Sequence, residues 1–293
     1  MRFTRAQGKN ALHSTALRTI VVVLLVLVLL SIPRSDHFPS LLSLEVVEQP
    51  LTSSRNQESN DPFLTADGAS NLLLTSNEKY YDDRYQKWQL SSNKFGALYK
   101  KRYWRDFVKD HFSCAEFGSS SGHILLSIPC ANKIGIEVNN AAREYSVKEL
   151  GLKAVTRTAS IRSETMDFVF TTSVLEHVEC PVCELKEIYR ILKPGGTLSA
   201  TVPGMAQRSM KWHDNDVNFE FQMFGGLELG NLLKAAGFSV DKDVCFSEMT
   251  QWPENFEALF AKIGLDAFIE ESKKYSQAHD KLITTWCVGR KEN

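Results

Sequence analysis

The chain has 293 residues, of which 43% are hydrophobic and 24% are charged, and it contains 16 glycines and 9 prolines. This composition excludes a wholly disordered chain, a collagen and a coiled-coil rod, and the length fits two domains or one α/β domain with extensions. The net charge is −1, so no overall positive field points to a nucleic-acid partner. The six cysteines are too few for a disulfide scaffold.

The N-terminus combines basic residues with an apolar run. Residues 1–35 hold five Lys or Arg residues and no acid, so they carry +5 and leave −6 on the remaining 258 residues. Ile20 to Leu30 is an unbroken apolar run, which flanking residues extend to about 14 residues. At ~1.5 Å per residue this spans roughly 21 Å, short of the ~30 Å hydrocarbon core. A cleaved signal peptide, an organelle-targeting segment and a short signal-anchor remain open, and the lack of a small-residue cleavage pattern favours the signal-anchor.

The charge distribution predicts an orientation. Because the basic residues precede the apolar run, we expect a cytosolic basic tail over 1–18, a transmembrane signal-anchor over 19–33 and the rest of the chain across the membrane. A short span suits the thinner membranes of the early secretory route, which predicts a single-pass ER or Golgi protein with a lumenal C-terminal domain. A mitochondrial or other organelle membrane is the alternative. Residues 34–78 are rich in Ser, Asn and Asp without a period, which predicts a disordered stem before a globular domain over 79–293.

The globular part begins with an aromatic and basic stretch over 80–112, which predicts two amphipathic helices. Its cations alternate with aromatic residues. Two interpretations remain open, a patch for an anionic ligand and a solvated helix face whose aromatic residues pack inward. The cations concerned are Lys100, Lys101, Arg102 and Arg105.

Strand and helix patterns then alternate. Apolar segments predict strands at 113–117, 133–138, 153–157, 166–171 and 197–202, and helices follow at 140–150 and 184–192. Gly151 lies just past the first of these helices and is a suitable C-terminal stop. Strands separated by helices form βαβ units, so we predict an α/β fold with a doubly wound, mostly parallel sheet.

The loop after the first strand contains the clearest site pattern. It reads Glu116-Phe-Gly118-Ser-Ser-Ser-Gly122-His, and such a glycine turn lets backbone N–H groups approach a ligand at a helix N-terminus. Glu137 ends the next strand 21 residues after Glu116, close to the spacing of about 20 residues at which an acid meets ribose hydroxyls.

These motifs resemble class I S-adenosylmethionine-dependent methyltransferases of the group whose fourth strand leads into Leu-Glu-His. The matching stretches are EFGSSSG (116–122), IGIEV (134–138), MDFVFTTSVLEHV (166–178) and ILKPGGTLSATVP (191–203). LLKAAGFSV (232–240) and LITTWCVGRK (282–291) resemble the late helix and the last two strands of that family. The resemblance implies a seven-stranded Rossmann-like sheet and S-adenosylmethionine as cofactor.

The resemblance also implies roles for single residues. Glu116 would orient the glycine loop and the amino group of the cofactor, and Gly118 and Gly122 would let the backbone pass under its methionine part. Glu137 would bind both ribose hydroxyls, and Thr172 would line the methionine end.

Two departures from the family pattern bear on cofactor binding. Ser120 stands where the family has its middle glycine, and the acid often found after the third strand is missing from RTASIRSE (157–164). Ser160 or the backbone around it would then approach the adenine. Both departures leave a non-catalytic relative of the family open as an alternative. A nicotinamide-dinucleotide dehydrogenase is disfavoured, because the Leu-Glu-His segment is not a feature of that class of enzyme.

Methyl transfer is an in-line displacement for which the enzyme positions the reactants and supplies a base. His177 and His213 are the candidate bases, with a structural histidine and a solvated loop over 203–224 as the alternatives. We predict no metal site. The expected acceptor is an oxygen of a glycan or small metabolite, because nothing in the sequence favours nucleic acid.

The cysteines give no clear site. Cys180 and Cys183 form one CxxC pair, which is insufficient for a four-ligand zinc site. Two ordinary thiols are favoured over a disulfide at this pair. Cys245 and Cys287 lie in apolar segments and are expected to be core residues.

Overall fold

A computed structural model describes residues 61–65, 95–204, 220–250, 252–279 and 283–293. The predicted basic tail, the predicted transmembrane helix and His213 lie outside these residues. Among the residues described, no helix is long and apolar enough to cross a membrane.

Seven strands of the described chain form one sheet in the order β3-β2-β1-β4-β5-β7-β6. The first five pair in parallel, and β7 runs antiparallel to both β5 and β6. The predicted α/β fold with a seven-stranded, mostly parallel sheet is therefore confirmed. The strands are β1 Ser113–Phe117, β2 Asn132–Ile136, β3 Lys153–Val155, β4 Met166–Thr172, β5 Leu192–Pro203, β6 Ser239–Met249 and β7 Ile283–Arg290.

The helices begin and end at residues that suit those positions. The side chain of Asn139 accepts a hydrogen bond from the Ala142 N–H at the start of α2, which is a standard N-cap. Pro181 opens α3, where its missing N–H has no cost. The helices are α1 His123–Ser127, α2 Asn140–Lys148, α3 Pro181–Ile191, α4 Gly226–Ala235 and α5 Phe256–His279, the last interrupted at Gly264 by a φ of 76° and a ψ of 176°.

The aromatic and basic stretch is less helical than predicted. Residues 95–100 are helical, a 3-10 turn follows at Lys101–Tyr103, and the chain then continues in turns. Its aromatic residues pack inward, as the second interpretation expected, and two of its cations form ion pairs, one buried and one at the surface. Arg102 pairs with Glu248 at 2.7 Å, and Arg105 pairs with Asp266 at 2.7 Å. Arg102 and Arg105 are therefore engaged within the protein, which leaves the anionic-ligand interpretation to the other two cations of the stretch.

All six cysteines of the chain are paired in three disulfides, Cys114–Cys130, Cys180–Cys183 and Cys245–Cys287. The preference for free thiols at the CxxC pair was therefore wrong. Cys245 and Cys287 do pack in the main core cluster, as expected, and they are also bonded to each other. The latter two lie directly opposite each other on β6 and β7, a pairing that only the strand order creates.

Candidate functional site

The site lies at the carboxyl edge of the parallel strands, where open α/β sheets bind their ligands. Glu116 is in β1, Glu137 directly follows β2, and Thr172 ends β4. Because these strands are neighbours in the sheet, the structure brings together the predicted cofactor residues of β1, β2 and β4.

Glycine is needed at two positions of the loop after β1. Gly118 has a φ of 73° and Gly122 a φ of 85°, in the left-handed region that side chains disfavour. A Cβ on Gly118 would overlap the Val174 side chain, and one on Gly122 would lie 2.6 Å from Leu152 Cδ1. The loop is fixed to the sheet because the Gly118 N–H donates to the Ile136 carbonyl at 2.8 Å.

Ser120 adopts the backbone shape of the glycine that it replaces. Its φ is 48°, a left-handed conformation that costs a side-chain-bearing residue roughly 1–2 kcal/mol. Its N–H donates to Glu137 Oε2 at 2.7 Å. Ser120 therefore joins the loop to Glu137 through its backbone, in a conformation that glycine would adopt without strain.

Glu137 is held in place by the backbone on both sides. Its Oε2 accepts from the Ser120 N–H, and its Oε1 accepts from the Asn139 N–H at 2.8 Å. Burial raises the pKa of this carboxyl, although the backbone hydrogen bonds oppose the rise. An ionised carboxylate has about four acceptor positions, so each oxygen retains one for a ribose hydroxyl.

Glu116 is buried beside the glycine loop with one oxygen still open. Its Oε2 accepts from the Leu125 N–H at 2.9 Å and so fixes the start of α1. Its Oε1 has no hydrogen-bond partner among the described residues. Burial raises the pKa of this carboxyl to about 8, and the charge of Lys100 acts against the rise.

Glu176 is a functional candidate that sequence reasoning missed, and Lys100 is a second candidate that the sequence named only within a patch for an anionic ligand. Glu176 is 1% exposed, and within the described chain neither of its carboxylate oxygens has a hydrogen-bond partner. Burial raises its pKa to about 8, again against the charge of Lys100. Burial also lowers the pKa of Lys100, while Glu116 and Glu176 both favour its charged form. We call Lys100, Glu116 and Glu176 the charged cluster.

Sequence signals for the charged cluster existed but were not distinctive. Glu176 is the middle residue of the Leu-Glu-His segment, and Lys100 is one of four cations in a stretch with two open interpretations. Nothing local distinguishes a lysine near a site from one on a solvated helix face, because the nearby acids lie far away in the sequence.

The remaining predicted residues are placed as follows. His177 ends the 3-10 turn Leu175–His177 after β4, and its Nε2 lies 3.5 Å from Glu176 Oε1. Thr172 accepts a hydrogen bond from the Thr201 hydroxyl of β5 at 2.9 Å. Ser160 ends the 3-10 turn Thr158–Ser160 after β3. The second candidate base, at position 213, is not described.

Comparisons with known proteins agree with this geometry. Residues 115–200 match the family model of a methyltransferase domain. No curated protein sequence matches the chain. A solved S-adenosylmethionine-dependent methyltransferase from Thermotoga maritima is 19% identical with a TM-score of 0.51, covering 74% of this chain and 98% of that chain. Haemonchus contortus phosphoethanolamine N-methyltransferase 2 was solved with phosphomonomethylethanolamine and S-adenosylhomocysteine. It is 15% identical with a TM-score of 0.53, and the match covers 75% of this chain and 61% of that chain.

At these identities the two solved structures show that this chain shares their fold, and nothing more. The similarity to a methyltransferase domain covers residues 115–200, and the solved structures share the fold of that class over about three quarters of the chain. S-adenosylmethionine is the cofactor of such a domain. The described residues fit it, because Glu137 retains acceptor positions for two hydroxyls and the buried Glu116 Oε1 has no hydrogen-bond partner among the described residues.

Proposed function

We propose that the protein is an S-adenosylmethionine-dependent methyltransferase that methylates an oxygen of a glycan or a small metabolite. The observation that carries the proposal is the set of three buried carboxylate oxygens in the charged cluster that lack hydrogen-bond partners among the described residues. Unpaired buried acceptors are costly, so a ligand that supplies donors there is expected. An amino-acid ammonium has three N–H donors, which matches three acceptors.

The charged cluster suits both charges of the cofactor's methionine part. Glu116 and Glu176 would accept from its ammonium, and Lys100 would pair with its carboxylate. Glu137 would accept from the two ribose hydroxyls at the other end of the loop. Charge-assisted hydrogen bonds of this kind are about twice as strong as neutral ones, so these four residues would fix the cofactor at both ends.

When bound, S-adenosylmethionine supplies an electrophilic methyl group on a sulfonium. His177 would accept the proton from the acceptor hydroxyl as the oxygen attacks, so that the methylated acceptor leaves neutral. Glu176 lies 3.5 Å from His177 Nε2, and its carboxylate would stabilise the imidazolium that forms. His213 is the second candidate for this base.

A non-catalytic binding or scaffold protein is the second candidate function. Ser120 in the glycine loop and the missing acid after β3 favour it. The two candidates differ in one respect: the scaffold protein would bind the cofactor or its product without ever forming a methylated product.

We further propose that the methyltransferase domain lies in the ER or Golgi lumen, with the predicted signal-anchor in the membrane. Two observations support this. The basic residues precede the apolar run, and all six cysteines are paired in disulfides, which form and persist in oxidising compartments. Protease treatment of sealed microsomes tests the location. We expect the domain to be protected until detergent is added, and digestion without detergent would favour a cytosolic or organelle-surface location.

Calorimetric titration of S-adenosylhomocysteine into the full-length protein tests the cofactor site. Glu137→Ala should weaken binding by about 1.5–3 kcal/mol, because charge-assisted hydrogen bonds to the ribose are lost. Glu257→Ala, which removes an exposed acid in the first turn of α5, is the matched control and should bind like wild type. Equal affinity of Glu137→Ala and wild type would remove Glu137 from the site.

A further inference from the structure

We infer that residues 61–65, which fall inside the predicted stem, are part of the cofactor-binding domain and position its Thr158–Ser160 turn. The inference rests on the proposed function, since it concerns the adenine end of the same cofactor site. We call residues 61–65 the docked segment.

Backbone hydrogen bonds join the docked segment to the chain that follows the turn. The Thr65 N–H donates to the Ser160 carbonyl at 2.9 Å, and the Arg162 N–H donates to the Phe63 carbonyl at 2.8 Å. Leu64 and Ile161 form an antiparallel β-bridge between these two bonds. The docked segment therefore acts as a short strand that pairs with residues 160–162.

Side chains strengthen this pairing. Arg162 Nε donates to the Leu64 carbonyl at 2.6 Å, and Lys153 Nζ donates to Asp61 Oδ2 at 2.6 Å. The Lys153 ammonium also lies 5.4 Å from the centre of the Phe63 ring. The hydrogen bond from Lys153 is the largest cause of the lowered pKa of Asp61. Several independent contacts therefore hold a segment of only five residues.

Phe63 and Leu64 also pack against the main hydrophobic core cluster. Residues of a disordered linker would have no reason to bury apolar side chains. All described residues, the docked segment included, fall within the compact unit Arg55–Asn293. The structured domain thus includes residues before the boundary at 79 that the sequence predicted.

The Thr158–Ser160 turn lies between the docked segment and α3. On the inner side, Arg190 Nη2 donates to the Thr158 carbonyl at 3.2 Å. On the outer side, the Ser160 carbonyl accepts from Thr65. The turn follows β3, whose Val155 carbonyl accepts from the Glu137 N–H at 3.0 Å. The docked segment therefore supports the backbone next to the residue that would bind the ribose.

This position gives the docked segment a functional consequence. The acid that often contacts the adenine is missing after β3, so the backbone of the Thr158–Ser160 turn is what remains to face the base. Fixing a free backbone costs roughly 1–2 kcal/mol per residue. Without the docked segment, the cofactor would have to order the turn when it binds, and its affinity would fall.

The test uses the full-length protein with Phe63→Ala and Leu64→Ala combined. Leu232→Ala is the matched control, because it removes a partly buried side chain from the same core cluster in α4. Phe63→Tyr keeps the ring and serves as the conservative rescue. Amide hydrogen exchange at 158–162 is measured first, and the double variant should lose protection there while the control keeps it.

Cofactor recognition is then measured with S-adenosylhomocysteine and its inosine analogue, which lacks the adenine amino group. The double variant should lose about tenfold in affinity for S-adenosylhomocysteine, or about 1.4 kcal/mol, and discriminate less between the two compounds. The control and Phe63→Tyr should keep both values. Wild-type affinity and discrimination in a double variant that has lost protection would overturn the inference. Failure of wild type to bind either compound would instead refute the proposed function, and the exchange result would still decide whether the segment docks.

Discussion

Glu176 offers a sharp test because its burial affects both the pKa of its carboxyl and the binding of the proposed cofactor. Its pKa rises from 4.5 to about 8 in the folded protein, so the native state holds the proton more tightly than the unfolded chain. Stability is therefore greatest below pH 4.5 for this group and falls as the pH rises towards 8. A rise of this size corresponds to a loss of about 5 kcal/mol in the free energy of unfolding between low and high pH, at about 1.36 kcal/mol per pKa unit. This value is an upper bound, because Glu116 interacts with the same Lys100 and the two carboxyls titrate as a coupled pair.

Glu176→Gln removes this titration and keeps the shape of the side chain. In the protein without cofactor, we expect the variant to gain about 2–4 kcal/mol over wild type at pH 8.5 and little at pH 5. Urea unfolding at the two pH values measures the difference. Glu144→Gln alters an exposed carboxyl and should leave the pH dependence unchanged.

The same substitution should weaken cofactor binding. Because an ammonium prefers the ionised carboxylate, wild-type affinity for S-adenosylhomocysteine should rise between pH 6 and 8, by up to about tenfold per pH unit for each proton released. Glu176→Gln should show a shallower rise and bind about tenfold more weakly at pH 8. A variant with the wild-type pH dependence of both stability and affinity would refute the argument, because the buried carboxyl would then neither titrate nor meet the ammonium.

Two further predictions concern the loop and the disulfides. Ser120→Gly should raise the free energy of unfolding by about 1 kcal/mol, because glycine adopts the left-handed φ without strain, and it should preserve affinity for S-adenosylhomocysteine. A lower unfolding free energy in urea would contradict this. Replacing Cys245 and Cys287 together by serine should cost about 4 kcal/mol, and replacing Cys180 and Cys183 together about 2 kcal/mol, because the first bond closes the longer loop. Equal losses in urea unfolding would argue against a loop-length origin.

The parallel sheet could be predicted from the sequence because its signals are local. β1 was predicted with its observed ends, and β4 was predicted to within one residue. Each of the first five strands is a short apolar run bounded by turn residues or a helical pattern, so neighbouring positions suffice to identify it. The glycine loop and Glu137 were found for the same reason, since their spacing is set within one βαβ unit.

The sequence pattern predicted an element less well where that element depends on packing against distant segments of the chain. Two helices were predicted over 80–112, and the second of them, described from residue 95, gives way after residue 100 to a 3-10 turn. The reason is that Tyr103 and Trp104 pack into a core cluster with residues of β1 and β4. The long helix α5 was not predicted. Its aromatic residues pack against Phe95 and Tyr99, which lie more than 150 positions earlier in the sequence.

By itself, then, the sequence determined the fold class, the glycine loop and the acid that follows β2. Only the tertiary structure decided which cysteines are bonded, which buried carboxylates lack hydrogen-bond partners among the described residues and which residues of the predicted stem pair with the chain after β3. Cys245 meets Cys287 because β6 and β7 are adjacent, and Leu64 meets Ile161 across 96 intervening positions. The physical reason is the range of the interactions. Backbone preferences and apolar periodicity act between near neighbours, whereas burial and pairing are set by segments that meet only after the chain has folded.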